Sequence, residues 1–193
     1  MKKVKSILLL VILVAPVLTM VKVELISFIK QHVLISADNG LIIGLVLNLD
    51  ADYKASNAGL TKTWADLSGN NNSANMVNNP AYFAKSPAYF AFSGSNNANL
   101  NFVWPNNFTC IFWVYPVGAP GGKFSRVLST NADNFEISIN NNNKISYYTK
   151  NVGWQQKKAT LSSNKWSQLV FVKVAGSLKI YLNGKNVHTA PFG

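Results

Sequence analysis

From residue 41 onward, apolar and polar positions alternate in short bursts, and no spacing of three and four persists long enough for a helix. "LIIGLVLNLD" (41–50) is almost continuously apolar and predicts a strand buried on both faces. Seven further strand-like runs follow: "AYFAFSG" (88–94), "FTCIFWVYP" (108–116), "SRVLST" (125–130), "NFEISIN" (134–140), "KISYYTK" (144–150), "WSQLVFVKV" (166–174) and "LKIYLNGK" (178–185). Between them lie "GSNN", "GAPGG", "NNNN" and "AGS", residues suited to turns because glycine reaches positive φ and asparagine bonds its own backbone. In "NFEISIN", Phe135, Ile137 and Ile139 alternate with Glu136, Ser138 and Asn140, which predicts one core face and one wet face. "FTCIFWVYP" differs. Phe108, Cys110, Phe112 and Val114 share one face, while Thr109, Ile111, Trp113 and Tyr115 share the other, so both faces are apolar. Short strands at regular spacing without helices between them predict an all-β antiparallel sandwich.

The asparagine-rich stretch "DLSGNNNSANMVNNPAYF" reads as a tight turn at Asp66, Ser68, Gly69 and Asn70, then a long edge loop. Pro80 then holds the chain extended so that Tyr82 and Phe83 can enter the core. In order along the chain come this stretch, "YFAFSG", "FTCIFWVYP", a hairpin, and "NKWSQLVFVKVAGSLKIYLNG". That order resembles the laminin-G-like branch of the concanavalin A-like jelly rolls over roughly residues 45 to 185. Its most specific part runs from Trp166 to Asn183-Gly184, followed by the "DLSGN" turn at 66–70. The resemblance implies two antiparallel sheets stacked face to face, with carbohydrate or protein ligands on the concave face or the edge loops. It also implies strands beyond the "YLNG" hairpin, whereas this sequence stops at Gly193. A shortened domain or a fragment is expected, with an edge to be covered by the N-terminal segment or a partner.

"MKKVKSILLLVILVAPVLTMVKVELISFIK" opens on lysines and runs uncharged from Ser6 to Val21. Two readings compete, a cleaved signal peptide and a retained signal anchor forming an N-terminal hydrophobic helix. "VAPVLTM" lacks a small-x-small cleavage site, which favours the anchor, with the lysines cytoplasmic and the domain extracytoplasmic. The expected division is therefore an anchor or signal peptide over 1–32 and a sandwich domain over 33–193.

Composition sets limits on function. The chain carries a formal charge of +11, but only one of its cations is an arginine, Arg126, and the lysines are scattered. Base-edge and bidentate phosphate recognition favour the guanidinium fork, so specific nucleic-acid binding is not expected. Cys110 is the single cysteine, which excludes an intrachain disulfide and suits a small buried hydrophobe. No strand carries the paired carboxylates of a glycan hydrolase, and His188 has no acid near it in sequence, so an enzyme is not expected. Asp50, Asp52 and Asp133 lie at strand ends or turns, where they could hold Ca²⁺ or simply cap the backbone. Trp154, in an expected polar loop, and Trp113 with Tyr115 are the candidate ligand-stacking aromatics. Asn71 and Asn107 begin N-glycosylation sequons. The expected function is membrane-anchored or exported, non-enzymatic recognition of glycans or glycoproteins. The alternative is a structural surface component that assembles with neighbouring subunits, such as a minor capsid or envelope protein of a large DNA virus.

Overall fold

The structure, a computed structural model, describes residues 4–7, 45–53, 55–56, 62–85, 87–93, 95–101, 103–117, 124–130, 135–140 and 142–192. Among them every regular element is a strand, and no helix is long and apolar enough to cross a membrane. Fourteen strands occur: β1 (Val4–Ile7), β2 (Thr63–Trp64), β3 (Ala74–Val77), β4 (Ala81–Phe83), β5 (Tyr89–Phe92), β6 (Asn97–Asn99) and β7 (Phe108–Pro116), then β8 (Phe124–Ser129), β9 (Phe135–Asn140), β10 (Lys144–Thr149), β11 (Gly153–Thr160), β12 (Ser167–Val174), β13 (Ser177–Leu182) and β14 (Lys185–Pro191). They form a seven-stranded sheet in the order β14-β13-β12-β7-β1-β5-β4, a four-stranded sheet β11-β10-β9-β8 and a three-stranded sheet β2-β3-β6. All pairings are antiparallel.

The two larger sheets stack through the β9 residues that the alternation assigned to the core, met by side chains of β7, β10, β14 and Phe192. Phe108 of β7 meets Phe135 of β9 with ring centroids 5.8 Å apart, and Phe135 meets Phe192 at 5.2 Å. Tyr147 of β10 approaches His188 of β14, Oη to Nε2 at 3.2 Å. Cys110, Phe112, Leu169, Phe171, Ile137 and Ile145 are fully enclosed between the sheets. Burying such side chains contributes roughly 1.5–3 kcal/mol each, which is why the apolar parity of these strands fixes their register. The small third sheet adds Trp64, Ala74 and Met76 to the same core, and Trp64 lies 4.7 Å from Phe90.

Beyond the "YLNG" turn, β14 adds the edge strand of the seven-stranded sheet. At the N-terminus, Val4–Ile7 form β1 between β5 and β7, a strand where the start of a helix was expected, and the remainder of segment 1–32 lies outside the described residues.

Three expectations need correction. Residues 45 and 47–49 are buried, Leu47 and Leu49 fully, and Val46 and Asp50 half-buried, but after a bridge at Leu45 they join no ladder. Side chains of the asparagine-rich stretch take the ladder's place. Nδ2 of Asn70 donates to the Leu45 carbonyl at 2.7 Å, Nδ2 of Asn72 to Val46 at 2.8 Å, and Oγ of Ser68 also to Val46 at 3.1 Å. Secondly, "KNVGWQQKK" is no loop, because Trp154 lies in β11 and pairs across to Tyr148. The polarity that suggested a loop belongs to a strand with one face turned from the core. Thirdly, the face of β9 expected to be wet is covered: Glu136, Ser138 and Asn140 are at most 4% exposed.

Candidate functional site

The outer face of the four-stranded sheet is polar at its centre and aromatic at one edge. Its register sets Ser129, Glu136, Tyr148 and Trp154 in one cross-strand row, and Arg126, Ser138, Ser146 and Gln156 in the next. A bulge between Arg126 and Leu128 lets β8 keep both rows aligned. Trp154 is 46% exposed and tilts against Tyr148 with centroids 5.5 Å apart, so the indole is braced while remaining open to solvent.

At the other edge the Nε–H of Arg126 donates to Oε2 of Glu136 at 2.9 Å, and the Ser138 hydroxyl donates to Oε1 at 2.6 Å. Both carboxylate oxygens are thus committed. The carboxylate is buried while the arginine side chain is 68% exposed, so Glu136 serves as a fixed anchor that aims the guanidinium. The Ser146 hydroxyl, beside Ser138 in the same row, is buried with no hydrogen-bond partner among the described residues. Leaving such a group unmet costs about 1–3 kcal/mol. Glu136 is the single acid on the four strands of this sheet, so the sheet lacks the carboxylate pair of glycoside hydrolysis.

Trp113 and Tyr115 are elsewhere. Both are half-buried on β7, opposite in parity to the core residues Phe112 and Val114, and so occupy the outer face of the seven-stranded sheet. There an aromatic row runs from Phe83 to Tyr89 (4.7 Å, stacked), then Trp166 (5.9 Å) and Tyr115 (5.2 Å). The three candidate aromatics therefore stand on opposite faces of the sandwich and do not form one site. Phe83 also departs from expectation. It projects outward, 39% exposed, while its neighbour Tyr82 packs on the core.

Among the acids, Asp66 is saturated by the turn. Its Oδ1 accepts the N–H groups of Asn48 (2.8 Å) and Ser68 (2.9 Å), and its Oδ2 accepts the Ser68 hydroxyl (2.7 Å) and the Asn72 N–H (2.9 Å). Oδ1 of Asp50 accepts the Asp52 N–H, and Oδ1 of Asp52 accepts the Ala88 N–H. Burial pushes the Asp50 carboxyl above the ordinary carboxylate range, partly opposed by that Asp52 N–H. Among the described residues no group of three or more His, Cys, Asp or Glu side chains is gathered as for a metal, and Asp133 lies outside them. Asn71 and Asn107 are both exposed, and Oδ1 of Asn107 accepts the Ala175 N–H at 3.1 Å. Sequence reasoning missed Arg126, Glu136 and Tyr148 as a group. Only pairing β8 with β9 and β10 with β11 brings them together, and single-strand patterning does not reveal those pairings.

Domain 4 of AbnA, a GH43 extracellular arabinanase from Geobacillus stearothermophilus solved in complex with arabinotriose, has a similar fold. The TM-score is 0.53 at 18% identity, covering 66% of this chain and 69% of that one. No curated protein matches the chain significantly. A family model described as the concanavalin A-like lectin/glucanases superfamily matches residues 87–193, from the start of β5 through β14 and leaving the "DLSGN" turn outside. With that match spanning more than half of its length, and the stacked antiparallel sheets in place, this chain belongs to the concanavalin A-like lectin/glucanases superfamily.

Proposed function

We propose that this protein is a non-enzymatic glycan-recognition domain whose binding surface is the outer face of the four-stranded sheet. The observation that carries the reading is the half-exposed indole of Trp154, braced by Tyr148, on the same sheet as the Arg126–Glu136–Ser138 array. An indole can stack on a sugar ring while directional donors fix its hydroxyls, the usual division of labour in a sugar site. Arabinotriose in the related arabinanase domain supports a glycan as the class of ligand. The commitment of both Glu136 oxygens supports binding without hydrolysis.

The full chain should bind a subset of immobilised neutral and acidic glycans. Trp154→Ala should weaken that binding by at least tenfold, about 1.4 kcal/mol, and leave the thermal midpoint nearly unchanged because the ring is half exposed. A silent broad panel, or full binding by the variant, would rule out this surface. A second reading, assembly with neighbouring subunits in a structural layer, is favoured by the aromatic row from Phe83 to Tyr115 on the opposite face.

A further inference from the structure

We propose that the ligand of this face is an acidic glycan, and that Arg126 is the residue that reads its carboxylate. The inference rests on the glycan-recognition reading above and adds the chemical class. Arg126 is the single arginine of the chain, and its Nε–H is consumed by Glu136. The remaining edge of the guanidinium, with its two coplanar terminal NH₂ groups, has no hydrogen-bond partner among the described residues, and the side chain is 68% exposed. A buried carboxylate on one edge fixes the orientation of the plane. The opposite edge is then a preformed fork whose spacing matches the two oxygens of a second carboxylate. Lysine, a point charge on a flexible stem, offers no such match.

The charge balance of this part of the sequence favours an anion. Residues 124–160 carry Arg126, Lys144, Lys150, Lys157 and Lys158 against Asp133 and Glu136, and the charge of Glu136 is already taken up on the Nε edge. Geometry adds a length requirement. Trp154 lies on β11 and Arg126 on β8, at opposite edges of the four strands. Three interstrand steps of roughly 4.8 Å and an offset of one row along the strands separate them by about 16 Å, more than one sugar ring spans. The ligand therefore lies across the strands, with one ring over the indole and a uronic acid at the arginine.

The test uses oligogalacturonate and its methyl ester, which keep the same rings and differ in the charge of the carboxyl group. Isothermal titration of the full chain should show the acid binding at least about tenfold tighter than the ester, the low end for a charge-assisted pair. Arg126→Lys, which keeps a cation for Glu136, should remove most of that preference, and Arg126→Ala should remove all of it. Trp154→Ala should weaken acid and ester alike. Thermal melts of each variant separate loss of binding from loss of fold. Equal affinity of the wild type for acid and ester, preference surviving in Arg126→Lys and Arg126→Ala, or no binding of either sugar overturns the inference. Glycan recognition itself falls only if the broad panel of neutral and acidic glycans is silent too.

Discussion

Asparagine serves two separate purposes in this molecule. Six of the seven non-glycine residues described at positive φ are asparagines, at 71, 78, 79, 143, 164 and 183, the residue type that tolerates the left-handed region best after glycine. The seventh is Ala175. With Gly176 it makes a two-residue turn between Val174 and Ser177, both central residues at positive φ, as do Asn183 and Gly184 between Leu182 and Lys185. These are type I′ turns, and Ala175 occupies the position where asparagine is preferred. Ala175→Asn should therefore stabilise the fold by about 0.5–1 kcal/mol, part of the ~1–2 kcal/mol that an ordinary L-residue gives up there. Urea denaturation would show it as a higher midpoint at unchanged slope. Asp50 offers a pH test. Its raised carboxyl means that the folded state holds this proton more tightly than the unfolded chain. The stabilisation is full below the unfolded pKa and is lost as pH rises through the folded one. Asp50→Asn, which keeps an oxygen for the Asp52 N–H, should flatten that part of the stability profile and leave the protein no less stable at neutral pH.

At the scale of elements, the side-chain ladder along residues 45–48 is the least usual feature. A buried strand normally satisfies its backbone through a neighbouring strand, yet here Asp66, Ser68, Asn70 and Asn72 do so in part. Asp66→Asn would set an amide donor against the donors now facing one carboxylate oxygen, at a cost of about 1–3 kcal/mol. Hydrogen exchange should report it locally, with the Asn48 amide, now bonded to Asp66 Oδ1 at 2.8 Å, losing protection before the amides of β7 and β12. Unchanged protection would mean that the ladder contributes little. The same feature marks how far the sequence could be read. Period-two alternation and short apolar runs identified β5, β7, β8, β9, β10, β12 and β13 and the core parity of β9, because burial dictates those positions, while β1, β4, β11 and β14 were not read as strands. Apolarity likewise made the burial of Leu47 and Leu49 legible, but it says nothing of what bonds a backbone, so the missing ladder was invisible. The site suffered for a similar reason. Trp154 stood out by itself, while the partners that give it chemical context lie on three other strands and meet it only through register.

For the whole molecule, two sheets that share one core have outer faces looking in opposite directions. One carries Trp154 and Arg126, the other Trp113, Tyr115 and the aromatic row. If the aromatic row serves assembly, sedimentation velocity of the full chain should show self-association that Phe83→Ser and Tyr89→Ser together reduce, with the Trp154 surface unaffected. A concentration-independent monomer would leave that face without a role in assembly. The faces can also act at once, since neither ligand stands in the other's way. Settled on a polysaccharide layer through its polar side, the protein would turn an aromatic side outward, changing a hydrated carbohydrate coat into a surface on which further protein can be laid.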